Sequence, residues 1–466
     1  MELDPLLLSR IQFAFVVSFH AIFPVFTIGL ASYIALLEGL FFKTKNPAWE
    51  RLAKFWTQVF AVVFGMGVVS GIVMSFQFGT NWSNFSYATA NFLGPVLSYE
   101  VITAFFLEAG FLGVMLFGRN KVPKGVHLFA ACMVALGTFI SAFWILSANS
   151  LMQTPAGLEL RGEIYHVASW AEALFTASFF YRFWHMIVAS FLTGGFVVAG
   201  VSAWFLLKGR EVEANKKALS MTLWLLLIIA PAQLLIGDFH GLSTLEHQPT
   251  KVAAMEGNWE RGTGVPLILF AIPDQENEKN HFEIKIPKLA SLILTHDSEG
   301  ELPGLLDVPA EERPPVFIVF WAFRIMVGLG VLMIGFAFAG LFLRAGGRFA
   351  SSSWYLKGLV AMSLSPFIAV VAGWFVTEVG RAPWLVYGLM THAEGLTPSL
   401  TGGMALFTLI GYILVYAVIF SAGVYYLMRV FQAGIEATDD DIEVESDHAK
   451  RPLSAAHVPF EQGDKA

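Results

Sequence analysis

The chain has 466 residues, of which 56% are hydrophobic and only 14% charged, with a mean hydropathy of +0.63. Soluble domains carry about 25% charged residues, so the composition excludes a water-soluble globular protein and points to a bilayer. A single cysteine, Cys132, excludes a disulfide framework, a cysteine-held iron–sulfur cluster and a CxxCH haem attachment, while the net charge of −7 says little about partners, because in a membrane the distribution of charge outweighs its sum.

The first ten residues, MELDPLLLSR, are acidic, and the apolar stretch after them is too long for a signal-peptide core and lacks a cleavage pattern. A retained first helix is therefore expected. About 20 apolar residues cross the hydrocarbon core as a helix. On that measure nine spans are expected, over 11–42, 56–78, 93–117, 126–148, 184–207, 219–236, 316–343, 357–378 and 404–428, giving an all-α integral membrane protein. Residues 159–183 are mixed in character and read as an interfacial helix leading into the fifth span.

Lysine and arginine crowd alternate loops: Lys43, Lys45, Arg51 and Lys54; Arg119, Lys121 and Lys124; Lys208, Arg210, Lys216 and Lys217; Arg344 and Arg348. The intervening GTNWSNFSYATANF has none, which puts the N-terminus in the periplasm and the C-terminus in the cytoplasm. The chain then divides into spans one to six in 1–236, an outward loop 237–315, spans seven to nine in 316–430, and an acidic cytoplasmic tail 431–466 expected to be disordered.

Ionisable groups inside a bilayer cost roughly 2.5–3.5 kcal/mol each and need partners or a purpose. His20, in SFHAIFPVF, lies roughly 14 Å below the outer surface; it is either a core histidine bonded to a carbonyl or a ligand. His185, in YRFWHMIVASF, is an interfacial histidine or a ligand. Arg324 and Met326 share FWAFRIMVGLG; the methionine suits packing, but an arginine at that depth demands an anion, a carboxylate or a cofactor's propionate. A histidine and a methionine are one known axial pair of low-spin haem, and His185 and Met326 fall on the same side of the membrane. Glu100 and Glu108, eight residues apart, stand on adjacent helix faces about 80° apart and ~12 Å along the axis. Burial against arginine and a proton path are both open to them. In GWFVTEVGRAPW, Trp374 and Glu378 share a face and Glu378 can reach Arg381. A surface ion pair in an aromatic belt accounts for Arg381 and Trp384 but poorly for Glu378, which a metal would explain. His20, His185, Met326 and Glu378 all come from the outer halves of their spans. A secondary transporter and a haem-bearing anchor for a dehydrogenase are rival readings, the first colourless and the second with low-spin haem alone.

GWFVTEVGRAPW resembles the GWxxxExGRQPW signature of subunit I of cytochrome bd-type quinol oxidases. The likeness runs through SRIQFAFVVSFHAIFP, SYEVITAFFLEAGFLG, SANSLMQTPAG, FWHMIVASF, TKVAAMEGNWE and FRIMVG, over essentially the whole chain up to the tail. The resemblance implies His185 and Met326 as axial ligands of low-spin haem b with Arg324 beside it. It implies His20 and Glu378 as ligands of haem d and high-spin haem b, a further haem b replacing haem d in the cyanide-insensitive branch. Trp374 falls between redox centres and Arg381 in the haem environment. Glu100 and Glu108 match proton-conducting carboxylates, with Ser141 and Asn149 on a related path, and Lys251 and Glu256 match the quinol-contacting pair. Ala382 stands where the family has Gln, and the outer loop is of the short kind. The implied enzyme is an electrogenic quinol:oxygen oxidoreductase of the bacterial inner membrane. It oxidises ubiquinol or menaquinol at the periplasmic side and reduces oxygen to water with cytoplasmic protons, without pumping. Implied partners are membrane lipid, a subunit II and a small single-helix third subunit, with no nucleic acid.

Overall fold

The computed structural model describes residues 3–435. Among them nine helices are long and apolar enough to cross a membrane: Pro5–Thr44, Pro47–Thr80, Ala90–Phe117, Lys124–Gln153, Trp170–Leu207, Val212–His247, Ala310–Ala345, Ser353–Val379 and Gly402–Ala433. Each overlaps an expected span and most outrun it, because caps and polar turns extend helices past the apolar run that reveals them. The first begins where the Asp4 side chain accepts the Leu6 N–H and ends at Lys45 in the left-handed region. Asn46 then caps the second by accepting from Ala48, so two residues turn the chain.

Three local departures matter for function. The third span is not a uniform α-helix: a π-helical turn, Val101–Phe105, separates Ala90–Glu100 from Phe106–Phe117. Most of residues 159–183 are not an interfacial helix but a hairpin, Leu158–Arg161 against Ile164–Val167, followed by the short helix Trp170–Leu174, which opens the fifth span ahead of its long helix Phe179–Leu207. The sixth helix continues beyond residue 236 to His247, so His240 and His247, read as loop residues, are helical. The segment after it holds a short helix, Pro249–Glu256, a hairpin of Leu267–Asp274 and Lys279–Ile286, and a second helix, Leu289–Thr295. The all-helical frame thus carries small local sheets. The expected disordered tail lies almost wholly outside the described residues.

The fifth helix is the hub, packing on the first, fourth, sixth and eighth. Its most apolar stretch is 78% buried, against 22%, 17% and 22% for the third, seventh and ninth helices, which leave broad apolar faces for lipid or a partner. First and fifth helices approach backbone to backbone through Gly29, where a Cβ would fall 2.2 Å from the Ser190 carbonyl oxygen. Small residues at such crossings are the usual route to close contact in a bilayer.

Candidate functional site

The end of the eighth helix forms a buried polar centre. Glu378 Oε1 accepts from Asn149 Nδ2 at 2.8 Å and Gln153 Nε2 at 3.1 Å, and Oε2 accepts from Arg381 NH2 at 2.6 Å. Asn149 and Gln153 are i, i+4 and present one face of the fourth helix. Gln153 Oε1 accepts from Lys251 Nζ at 2.7 Å, which also donates to Thr377 O at 3.0 Å. Gly380 lets the lysine stem pass, since a Cβ there would lie 3.0 Å from Lys251 Cγ. Arg381 is 2% exposed, Lys251 3% and Arg182 7%, so the surface ion pair allowed by the sequence is a buried one. Burial, reinforced by Arg182 and Arg381, holds the Lys251 amine well below the usual lysine range. His392 donates from Nδ1 to Pro383 O at 2.6 Å and its backbone N–H donates to the same oxygen at 2.9 Å, clasping the turn beyond Arg381.

Lys251 and Glu256 lie five residues apart on the helix Pro249–Glu256 and turn to different neighbours. Glu256 faces Arg324, 3.7 Å from NH2, and burial pushes its carboxyl up against the pull of that arginine. Arg324 therefore finds its anion in the chain itself. It also donates to Ile268 O from Nε at 2.8 Å, to Phe320 O at 3.2 Å, to Glu256 O at 3.4 Å and to Met255 O, and stacks over the Phe320 ring at 3.4 Å.

His185 Nδ1 and Trp374 Nε1 are buried without hydrogen-bond partners among the described residues. The His185 ring lies 5.4 Å from that of His240, and Gln233 donates to the His185 carbonyl at 3.0 Å. Met326 Sδ would stand 3.0 Å from a Cβ at Gly373, so glycine keeps that space open. His20 is bonded through Nδ1 to Ser70 Oγ at 2.9 Å and not to a carbonyl. No group of three or more His, Cys, Asp or Glu gathers for a metal among the described residues, so the candidate ligands are dispersed singly.

Glu100 and Glu108 are not on adjacent faces. A π turn absorbs one extra residue, roughly 100° of rotation, which returns the two carboxylates to within about 20° of each other. Both meet one stripe of the fourth helix: Ser141 Oγ donates to Glu100 at 2.8 Å, and a Cβ at Gly137, one turn away, would fall 2.5 Å from Glu108 Cγ. Glu108 Oε1 is buried without a partner among the described residues. Ser141 thus joins Glu100, whereas Asn149 joins Glu378. At the opposite end of the bundle, Glu38 is held by Arg119 and lies 3.4 Å from His127 Nδ1.

Sequence reasoning missed Arg182, Gln153, His240 and Ser70. Gln153 stood in the quoted SANSLMQTPAG, four residues after Asn149, and that spacing was the available signal; Arg182 was masked by Tyr181 and Trp184, which read as interfacial.

The family model for cytochrome bd terminal oxidase subunit I matches residues 8–435. Cytochrome bd ubiquinol oxidase subunit 1 of Bacillus subtilis (strain 168) is 37% identical over 456 residues, covering 96% of this chain and 97% of that protein. Cytochrome bd-II ubiquinol oxidase subunit 1 of Escherichia coli (strain K12) is 31% identical, covering 94% and 98%. The putative cytochrome bd menaquinol oxidase subunit I of Bacillus subtilis (strain 168) is also 31% identical, covering 94% and 99%. The solved structure of bd oxidase from Geobacillus thermodenitrificans matches with a TM-score of 0.86 at 32% identity, over 93% of this chain and 99% of that one. The chain therefore belongs to the cytochrome bd terminal oxidase subunit I family, multi-pass quinol:oxygen oxidoreductase subunits of the bacterial inner membrane.

Proposed function

We propose that this chain is the haem-bearing subunit of its oxidase, oxidising quinol on the periplasmic side and drawing the protons for water from the cytoplasm, so that charge is separated without pumping. The observation that carries this reading is the buried centre in which Arg182, Lys251 and Arg381 surround one carboxylate, Glu378. With the Lys251 amine biased to the neutral form, the two buried guanidinium groups still outnumber the one carboxylate, which is costly unless a further anion joins them. Arg381 NH1, His185 Nδ1 and Trp374 Nε1 are all buried and unpartnered among the described residues, and Gly373 keeps space beside Met326. These features fit porphyrins and their propionates.

His185 and Met326 would hold low-spin haem b, with Arg324 beside them. His20 and Glu378 would hold the two high-spin haems, one b and the other d or a further b; Glu378 Oε2, with one donor, keeps a free lone pair. When bound, the haems supply electron transfer and an open iron position for oxygen. Lys251, its amine biased to the neutral form, is suited to take a proton from a quinol hydroxyl, and Glu256, whose Oε2 faces Arg324 at 3.7 Å but makes no hydrogen bond among the described residues, to bind it. Glu108 and then Glu100, aligned on one stripe of the fourth helix, pass protons inward from the cytoplasmic face. The lysine and arginine asymmetry of the loops supports that orientation. Ubiquinol and menaquinol both suit this site, and the exposed faces of the third, seventh and ninth helices offer room for lipid, subunit II and a small third subunit.

A visible spectrum with pyridine-haem analysis of the purified complex tests the reading. Low-spin and high-spin signals together are expected, together with slowed oxygen reduction in Glu108→Ala. A complex free of porphyrin, or one with a low-spin haem alone, refutes it.

A further inference from the structure

His20 and Ser70 meet inside the membrane where the first and second helices come together. Ser70 is fully buried. Its Oγ lies 2.9 Å from His20 Nδ1 and donates to Gly67 O at 3.0 Å. A hydroxyl has one hydrogen. When that hydrogen goes to the carbonyl, the oxygen presents a lone pair to the ring, and Nδ1 is the nitrogen that carries the proton. The other nitrogen, Nε2, is then left with its lone pair and has no hydrogen-bond partner among the described residues. Two glycines make the approach possible: a Cβ at Gly67 would lie 3.2 Å from Phe23 Cβ, and one at Gly71 would lie 3.0 Å from His20 Cε1. The turn that bears Ser70 is braced from the ninth helix. Tyr416 donates its hydroxyl to Ser70 O and Tyr412 donates to Val73 O, each at 3.0 Å, and the Tyr416 ring stacks on Phe19 at 4.5 Å.

We infer that Ser70 is the positioning residue for His20: it fixes the tautomer and ring plane that aim Nε2 at the iron, and the second helix, braced by the ninth, holds it there. The inference rests on the reading of His20 as a haem ligand. Partners of the second ring nitrogen of a ligating histidine commonly govern ligand basicity and orientation, and their loss costs about 10–100-fold in metal affinity. No element other than the second helix supplies His20 Nδ1 with a partner among the described residues, so the whole effect passes through one hydroxyl.

The experiment uses the intact purified complex with Ser70→Ala, Ser70→Thr and His20→Ala. Readouts are haem per complex, the rate of haem loss to excess apomyoglobin, and the iron–histidine stretching band of the reduced enzyme by resonance Raman. Ser70→Ala is expected to lose one high-spin haem about 10–100-fold faster and to lower the frequency of that band. The low-spin signal, which depends on the fifth and seventh helices, stays at full strength and reports an intact fold. Ser70→Thr, which keeps a hydroxyl, retains both properties. Parental haem retention and an unshifted band in Ser70→Ala overturn the inference. So does an equal loss of every haem in that variant, or a Thr variant as impaired as the Ala one. Full haem content in His20→Ala instead sinks the ligand assignment itself, separately from the role of Ser70.

Discussion

Gly137→Ala probes the proposed proton path without altering either carboxylate. The added Cβ would stand 2.5 Å from Glu108 Cγ and 3.3 Å from Oε1, whereas ordinary contact is 3.4–4 Å. The glycine sits in the interior of the helix Lys124–Gln153, so its backbone is held by the hydrogen bonds of that helix and the glutamate is the part that yields. Its stem must withdraw by about 1 Å, and overpacking of this kind costs about 1–3 kcal/mol of stability. A misplacement of about 1 Å in a positioned reacting group can slow a reaction about 100-fold. Oxygen consumption at saturating quinol is therefore expected to fall ten- to a hundredfold, measured with an oxygen electrode. The haem spectrum should be unchanged, because the proposed ligands lie on other helices. Turnover within about twofold of the parent, with Glu108→Ala strongly impaired, would refute the argument that the fourth helix aims this carboxylate.

Glu378→Ala leaves the buried guanidinium groups of Arg182 and Arg381 with no counter-charge; breaking a buried pair costs about 3–5 kcal/mol, so lower thermal stability and loss of a high-spin haem are expected together by calorimetry and pyridine-haem analysis. Arg119→Ala strands the 3%-exposed Glu38 and should lower the unfolding temperature, with Glu38→Leu combined with Arg119→Leu recovering part of the loss; no recovery would show that burial of the pair is not the source. His392, in the turn beyond Arg381, has its pKa pushed from 6.5 down to about 3 by burial and then by Arg381 and Arg10. The folded form keeps it neutral while the unfolded chain takes up a proton, so its contribution is whole above about pH 6.5 and fades as pH falls toward 3, by at most about 1.4 kcal/mol per unit. Thermal midpoints of the parent should drop across that window more steeply than those of His392→Gln, and parallel curves would contradict the assignment.

The nine spans were legible because hydrocarbon thickness sets a length that apolar runs must match. Their ends were not, because Asp4, Asn46 and the polar last turns of the sixth helix extend helices by backbone bonding that hydropathy does not register. The phase between Glu100 and Glu108 was misjudged for a related reason: a period of 3.6 is assumed by counting, and the π turn breaks it with residues, VITAF, that look like any other apolar helix. The side chains proposed for the centre were legible in the twelve residues around Glu378 and in the family motifs. Its electrostatics were not, since Arg182, Lys251 and Arg381 come from three separate segments and only folding brings them to one carboxylate.

Arg324 secures the hairpin that begins at Leu267 and the Pro249–Glu256 helix to the seventh span chiefly through main-chain oxygens of residues 255, 256 and 268. An anchor read from backbone places little demand on what side chains the anchored segment carries. Substitutions along the hairpin can then reshape the surface around Glu256 while the attachment point, two residues from Met326, stays put, which separates the evolution of this segment from that of the span that carries it.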